Sequence, residues 1–207
     1  MRDKLIIIGA GGHGKMCASV ALKLNQWRQI FFLDDFKDSK ALGLEVIKPI
    51  TLETHIDSGT DFFVGIGDNE IRKRYIEQLI AMDASVVTLV DPSAVVSKHS
   101  KIDEGVIVMP GAIINAGTRI EKASIINTGT IIDHNGHIGS FSHLAPRVSI
   151  AGNVSIGAHC MVGIGSTIIN NIQITDHTVI GAQSLILKNI DTPGTYFGSS
   201  AQLRSKR

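Results

Sequence analysis

The hydrophobic positions of this 207-residue chain follow two patterns, one before about residue 88 and one after it. In the first part, short apolar runs such as KLIII at residues 4–8 alternate with stretches of helical period. A continuous apolar run is typical of a parallel strand that is covered on both faces. The pattern therefore predicts a small α/β domain at residues 1–88, equivalent to about half of a dinucleotide-binding fold.

Three strands and two helices are expected in this first domain. The strands are predicted at residues 4–8, 30–35 and 61–67, and the helices at residues 15–24 and 72–82. Strands that alternate with helices favour a parallel sheet.

From residue 90 the period changes to six, and it predicts a second domain at residues 89–207. The seventeen positions at this spacing are all aliphatic: Val90, Val96, Ile102, Val108, Ile114, Ile120, Ile126, Ile132, Ile138, Leu144, Ile150, Ile156, Val162, Ile168, Ile174, Ile180 and Ile186. A helix would need a period of 3.6. The hexads instead suit short parallel strands joined by tight turns, stacked coil upon coil into one core.

The amino-acid composition limits the kinds of molecule that this protein is expected to bind. With 20 basic and 19 acidic residues the formal net charge is +1, which gives no reason to expect binding to nucleic acid or to an anionic membrane. No apolar run reaches the length of a membrane span. The two distant cysteines, Cys17 and Cys160, suggest a reducing compartment. We expect a cytoplasmic protein without a cleaved signal.

A glycine motif lies between the first strand and the first helix. Gly9, Gly11 and Gly14 form G-x-G-x-x-G, and Asp34 and Asp35 follow about twenty residues later, at the end of the second strand. This context lets bare backbone approach a pyrophosphate at a helix N-terminus, while an acidic side chain meets a ribose or a base. The alternative is an ordinary tight turn. Nucleotide binding without redox chemistry fits better than a nicotinamide enzyme, because a β-helix replaces the second half of that fold.

The segment IIDHNGHIGSFSH holds a histidine that the hexad register places in a groove. His134 comes just after inward-pointing Ile132, so its side chain projects outward. Gly152 follows eighteen residues later, one coil away at the assumed pitch and hence about 4.8 Å along the stack. A general base beside a bare N–H is what acyl transfer to an amine requires. The alternative is a solvent-exposed histidine on a structural coil.

The hexads resemble those of the hexapeptide-repeat acyltransferases, and nearly the whole chain resembles the PglD/NeuD-type sugar acetyltransferases. The matching stretches are IIIGAGGHGK, FFLDDFK, GIGDNEIRK, INAGTRIEK, INTGTIIDHNGHIGSFSHLAP and AGNVSIG. The resemblance implies a left-handed parallel β-helix with three hexads per coil and between five and six coils. It also implies a homotrimer with active sites between subunits.

The resemblance assigns roles to individual residues. His134 would be the general base, Gly152 would donate to the acetyl carbonyl, and His143 would lie near the thioester of acetyl-CoA. Coenzyme A would lie along later coils near Ile164 and Ala182. The nucleotide-sugar pocket would contain Gly11, Gly12, His13, Asp34, Asp35 and Gly67. No metal is implied.

Two features depart from the family pattern. Relatives carry a carboxylate directly after the catalytic histidine, whereas this chain has Asn135 there and Asp133 before it. Strand alternation points Asp133 away from the ring, but Asn135 can fix the ring by hydrogen bonding. Near the C-terminus, GSSAQLR, with Ser200 and Gln202, replaces a proline and a basic residue close to the coenzyme.

These observations lead to one main hypothesis and several alternatives. The main one is transfer of acetyl from acetyl-CoA to the C4 amine of a UDP-linked 4-amino-4,6-dideoxy sugar in bacterial glycan biosynthesis, where FFLDDFK favours UDP. A dTDP- or GDP-linked amino sugar, or O-acetylation of a sialic acid, stays open. A zinc enzyme similar to γ-carbonic anhydrase and a non-enzymatic sugar-nucleotide-binding assembly protein are the other classes.

Overall fold

A computed structural model of the chain describes residues 2–36, 40–48 and 52–206. The chain divides into two compact units, Met1–Pro92 and Ser93–Arg207. In the described ranges, neither α-helix has the length and apolar character needed to cross a bilayer.

The first unit contains a six-stranded sheet, two α-helices and one short strand, Leu89–Val90, that lies outside this sheet. Its elements are β1 Arg2–Ile8, α1 Gly12–Leu24, β2 Trp27–Leu33, β3 Lys40–Ala41, β4 Leu44–Ile47, a 3₁₀ turn Leu52–His55, β5 Thr60–Val64, α2 Asn69–Ala81, β6 Ser85–Val86 and β7 Leu89–Val90. The strand order is β3-β4-β2-β1-β5-β6, and every pair except β3–β4 is parallel. The carboxyl ends of β2, β1 and β5 therefore meet at one edge.

The predicted strands form, with shifted ends. The apolar run in β1 and all of β5 are buried, as expected for central parallel strands. The third predicted strand ends at Val64 rather than at residue 67, because residues 65–67 turn away before Asp68 caps α2 through a 2.9 Å bond from the Ile71 N–H. Helix α1 begins at Gly12, inside the glycine motif, three residues before the predicted start.

The second unit consists of two-residue strands that each end on an inward aliphatic residue, followed by a terminal hairpin. The strands are β8 Val95–Val96, β9 Lys101–Ile102, β10 Ile107–Val108, β11 Ile113–Ile114, β12 Arg119–Ile120, β13 Ile125–Ile126, β14 Ile131–Ile132, β15 His137–Ile138, β16 His143–Leu144, β17 Ser149–Ile150, β18 Ser155–Ile156, β19 Met161–Val162, β20 Thr167–Ile168, β21 Gln173–Ile174, β22 Val179–Ile180, β23 Leu185–Ile186, β24 Gly194–Phe197 and β25 Gln202–Lys206.

These strands stack into a three-sided parallel β-helix. Each strand from β8 to β20 pairs in parallel with the strand eighteen residues later, as Ile131 does with Ser149 and Ile132 with Ile150. One face contains β10-β13-β16-β19-β22, the next β8-β11-β14-β17-β20-β23, and the third β9-β12-β15-β18-β21. The hexad aliphatics from Val108 to Ile186 are all buried between the faces. The six-residue period therefore sets the core of this unit.

Small polar residues four positions after several of the hexad aliphatics link the coils. The Ser142 hydroxyl donates to the Gly157 carbonyl at 2.7 Å, and the Ser166 hydroxyl donates to the Gly181 carbonyl at 2.9 Å. Both serines are fully buried, so these bonds satisfy polar groups inside the prism.

Candidate active site

His134 and Gly152 occupy the same position on adjacent coils, at the corner that follows β14 and β17. The Asn153 N–H donates to the His134 carbonyl at 3.0 Å and ties the two turns together. The imidazole is exposed and lies over buried Gly152, where an added β-carbon would come 2.5 Å from Nε2. The ring and the backbone at residue 152 therefore share one small site.

The Gly152 N–H takes no part in the hydrogen bonds that link the described coils. No acceptor for it exists among the residues that the structure describes. Pro110 and Pro146, which have no N–H, occupy the equivalent turn position at another corner. A ligand oxygen that binds this amide would therefore displace no hydrogen bond within the described chain.

Two neighbours orient His134. The Asp133 carboxylate accepts the main-chain N–H of His134 at 2.8 Å and the Asn115 amide at 3.1 Å, and these two bonds lower the pKa of Asp133. The Asn135 side-chain nitrogen lies 3.2 Å from His134 Nδ1. Asp133 thus binds the backbone of the turn, while Asn135 contacts the ring.

The residues assigned to coenzyme binding lie elsewhere on the prism. Ile164 and Ala182 are exposed on adjacent coils at the corner between β19 and β20, and the Gln183 N–H donates to the Ile164 carbonyl at 2.8 Å. His143 lies on the face that contains β16, with Nε2 3.2 Å from the Asn127 amide nitrogen. Within one chain, Ile164 and Ala182 therefore lie at a different corner from His134, and His143 lies on a face of the prism.

An open groove runs along the face between these two corners. It has a volume of about 500 Å³, and its lining includes Asp133, Ser149, Ala151 and Thr167. The face belongs to β11, β14, β17 and β20, so one end of it adjoins the His134 corner and the other adjoins the Ile164 corner.

The first unit has its own cavity, at the carboxyl ends of β1, β2 and β5. Its volume is about 400 Å³, and its lining includes Gly9, Gly11, Gly12, His13, Asp34, Asp35, Phe36, Gly65, Gly67 and Tyr75. Parallel α/β sheets bind ligands in this type of crevice. The six residues of the predicted nucleotide-sugar pocket all lie along it.

The glycine loop leaves one side of this cavity open. A β-carbon at Gly14 would collide with the Gly9 carbonyl, so residue 14 has to be glycine for α1 to approach β1. At Gly11 and Gly12 a β-carbon would meet nothing within 4 Å. No side chain in the described ranges caps α1, so its first N–H groups can bind an anion.

Asp34 holds the loop in place. One carboxylate oxygen accepts the Ala10 N–H at 2.7 Å, and the other accepts the Phe36 N–H at 2.9 Å. Asp35 is exposed, and its carbonyl accepts a bond from Lys48 at 3.1 Å. Asp34 therefore shapes the cavity through its contact with the backbone, and Asp35 presents its side chain at the rim.

Arg72 is a residue that the sequence reasoning missed. Its side chain is 1% exposed and donates to the carbonyls of Ile66 and Gly67, both at 3.1 Å, and to Asn69 Oδ1 at 2.8 Å. Burial lowers the pKa of Arg72 to about 10. Arg72 shares the buried face of α2 with Ile76 and Leu79, and this spacing of four and seven residues could have revealed it.

Phe36 was also missed. Its side chain is 91% exposed at the rim of the cavity, next to Asp35. An exposed aromatic ring beside a ligand cavity is available for stacking.

Comparisons with known proteins agree with this architecture. Residues 4–79 match the PglD N-terminal domain family. Over 107 residues the chain is 34% identical to UDP-N-acetylbacillosamine N-acetyltransferase from Bacillus subtilis (strain 168), a match that spans half of this chain and half of that protein.

Solved structures match over nearly the full length. The acetyltransferase domain of PglB from Neisseria gonorrhoeae FA1090, in complex with acetyl coenzyme A, has a TM-score of 0.96 at 31% identity, covering 99% of this chain and 100% of that one. A histidine-to-asparagine variant of perosamine N-acetyltransferase from Caulobacter crescentus, in complex with CoA and GDP-perosamine, has a TM-score of 0.93 at 30% identity, covering 98% and 97%.

An α/β domain with a glycine loop, followed by a left-handed β-helix of hexapeptide repeats, defines a class of two-domain acyltransferases, and it confirms the fold class predicted from the sequence. The chain belongs to the PglD-type family of sugar acetyltransferases.

Proposed function

We propose that this chain is a cytoplasmic, acetyl-CoA-dependent N-acetyltransferase that acts on the C4 amine of a UDP-linked 4-amino-4,6-dideoxy sugar in bacterial glycan biosynthesis. The observation that carries the proposal is the imidazole of His134 lying over Gly152, whose N–H has no acceptor in the described chain. The family relationship supports the same reaction class.

The two groups match the two demands of amide formation. As the amine lone pair attacks the thioester carbonyl, a C–N bond forms and negative charge develops on the carbonyl oxygen, which the Gly152 N–H stabilises. His134 Nε2 takes the proton that the attacking nitrogen must lose. The C–S bond then breaks, and the CoA thiolate leaves and is protonated.

The first unit would hold the nucleotide. The diphosphate would lie against Gly11 and Gly12 at the N-terminus of α1, where two bare glycines and uncapped N–H groups favour an anion. Asp35 and Phe36 at the rim would face the ribose and the base. A GDP-linked amino sugar is the second candidate, because a relative that is 30% identical over nearly its whole length was solved with GDP-perosamine.

A homotrimer would complete the site. Ile164 and Ala182 lie at a different corner from His134, so a coenzyme along their corner would meet a base that another copy supplies. Ile131 is 41% exposed on the intervening face, as a packing surface between copies would require. Light scattering on the purified protein should give three times the chain mass.

The test is release of the CoA thiol, followed spectrophotometrically with UDP-, dTDP- and GDP-linked amino sugars and with a sialic acid. We expect turnover to be fastest with the UDP-linked 4-amino sugar, and we expect His134→Ala to lower kcat by about 100-fold or more. Unchanged turnover in His134→Ala would refute the base assignment.

The purified protein can also be tested for the two other classes of function, a zinc enzyme and a binding protein without catalysis. A zinc enzyme would contain stoichiometric metal, measurable by elemental analysis. A binding protein without catalysis would retain a nucleotide sugar in calorimetry and release no thiol with any acceptor.

A further inference from the structure

Three asparagines form a ladder at the corner that contains His134. Asn135, Asn153 and Asn171 are spaced one coil apart, and all three adopt left-handed backbone angles, with φ of 56°, 59° and 61°. The Asn135 amide nitrogen donates to Asn153 Oδ1 at 3.2 Å, and the Asn153 amide nitrogen donates to Asn171 Oδ1 at 3.1 Å. The three amides are thus linked in a single direction along the stack.

The first amide of the ladder also contacts the imidazole. The same Asn135 atom that faces Asn153 lies 3.2 Å from His134 Nδ1. If this atom is an NH₂ group, Nδ1 must be the acceptor, and the neutral ring carries its proton on Nε2. If this atom is the oxygen, it accepts the Nδ1–H, and Nε2 keeps a free lone pair.

A primary amide fits its site in either orientation, because its two ends have nearly the same shape. Because the amides are linked, turning Asn135 over requires Asn153 and then Asn171 to turn over as well, or an acceptor would face an acceptor. On its other side, Asn135 packs against the α-carbon of Gly117, which offers only a weak C–H contact. The direction of the ladder and the tautomer of His134 are therefore coupled.

We infer that Asn153 and Asn171 are positioning residues that set the tautomer of His134 through Asn135. This inference rests on the proposed function, because Nε2, the nitrogen over Gly152, has to be unprotonated for His134 to act as a base there. The competent ladder has the Asn135 oxygen facing both Nδ1–H and the Asn153 amide. The opposite direction, with the Asn135 nitrogen facing both Nδ1 and Asn153 Oδ1 as in the structure, holds the ring in the tautomer that cannot accept a proton beside Gly152.

A substitution at Asn171, two coils from the His134 ring, can fix the direction of the hydrogen bonds in the ladder. In Asn171→Asp the carboxylate only accepts, so Asn153 presents its NH₂ to residue 171 and its oxygen to Asn135. Asn135 then presents NH₂ to Nδ1. We expect the share of the Nε2–H tautomer to rise and kcat to fall about 10-fold, since a hydrogen bond to a charged group provides the bias.

The control for charge is Asn170→Asp, which adds the same charge one residue away but outside the ladder. Asn171→Ala removes the last amide without imposing a direction, so its tautomer share and its kcat should both lie between those of wild type and Asn171→Asp. Asn135→Asp supplies a fixed acceptor to Nδ1, so it should restore turnover and tautomer when combined with Asn171→Asp.

The readouts are ¹⁵N NMR of the two ring nitrogens of His134 in the full-length protein and steady-state kcat. Equal tautomer fractions in Asn171→Asp and Asn170→Asp, or failure of Asn135→Asp to reverse the change, would overturn the inference. A tautomer shift without any change in turnover would instead uphold the ladder and refute His134 as the base.

Discussion

The imidazole Nε2 of His134 lies so close to the α-carbon of Gly152 that a β-carbon there would approach it to 2.5 Å. Gly152→Ala therefore has to move the ring. We expect kcat to fall about 100-fold, because a displacement of roughly 1 Å at a reacting group has that effect. Steady-state assays of the CoA thiol would measure it, with circular dichroism to show that the fold is intact.

A double variant tests whether the effect of Gly152→Ala comes from its collision with the His134 imidazole. In a His134→Ala background the ring is gone, so adding Gly152→Ala should leave the melting temperature where His134→Ala has it, whereas Gly152→Ala alone should lower it. Equal losses of melting temperature in both backgrounds would mean that residue 152 collides with something other than the imidazole.

Asp34 shapes the nucleotide cavity by accepting the N–H groups of Ala10 and Phe36. Asp34→Ala removes both bonds, so we expect KM for the nucleotide sugar to rise about 10-fold while KM for acetyl-CoA stays unchanged. Asp34→Asn, which keeps one accepting oxygen, should fall between Asp34→Ala and wild type. A parallel rise in both KM values would contradict a role confined to the first unit.

Arg72 holds the loop that follows β5, through the carbonyls of Ile66 and Gly67. Arg72→Met leaves both carbonyls without their donor, and we expect the free energy of unfolding to drop by about 3 kcal/mol in urea titrations. Arg74→Met is the matched control, since Arg74 is exposed on the same helix and its loss should change the free energy of unfolding by less than about 0.5 kcal/mol.

Asp61 gives the first unit a defined response to acid. Burial opposes its ionisation, but hydrogen bonds from Arg2, Trp27 and Ser85 outweigh burial and lower the pKa of Asp61. The pKa of Asp61 in the folded protein lies below its value of about 3.9 in the unfolded chain. Ionised Asp61 therefore contributes its full stabilisation to the fold at pH values above about 3.9. This stability is lost as pH falls through the lowered pKa.

The comparison of wild type with Asp61→Asn tests this dependence. The difference between their free energies of unfolding should be largest near neutral pH and should shrink below about pH 3.9. Denaturation at pH 7, 5 and 3 would measure it, and a difference that stays constant across this range would show that the carboxylate is not responsible.

The sequence predicts the second unit in detail because each coil repeats one physical requirement. An aliphatic side chain such as Ile132 or Ile150 must fill the prism every six residues, so its position is visible without any knowledge of the neighbours. The pairing of His134 with Gly152 follows from the same register.

Other parts of the site depend on contacts that no local pattern encodes. The spacing of Arg72 from Ile76 and Leu79 indicates that it is buried, but not that it binds the carbonyls of residues 66 and 67. Asp34 is recognisable as acidic at a strand end, but its bond to Ala10 depends on how the glycine loop folds. The amide ladder appears only when residues eighteen apart are stacked.

Because each strand from β8 to β20 pairs with the one eighteen residues later, the second unit can change length without disturbing its core only in steps of eighteen residues. Deleting one residue between Ile132 and Ile150 would turn every later side chain out of phase and place polar groups inside the prism. Inserting a complete set of eighteen would keep every aliphatic inward. It would nevertheless separate the imidazole from its glycine by one more coil, about 4.8 Å, so such a variant should fold and yet be inactive.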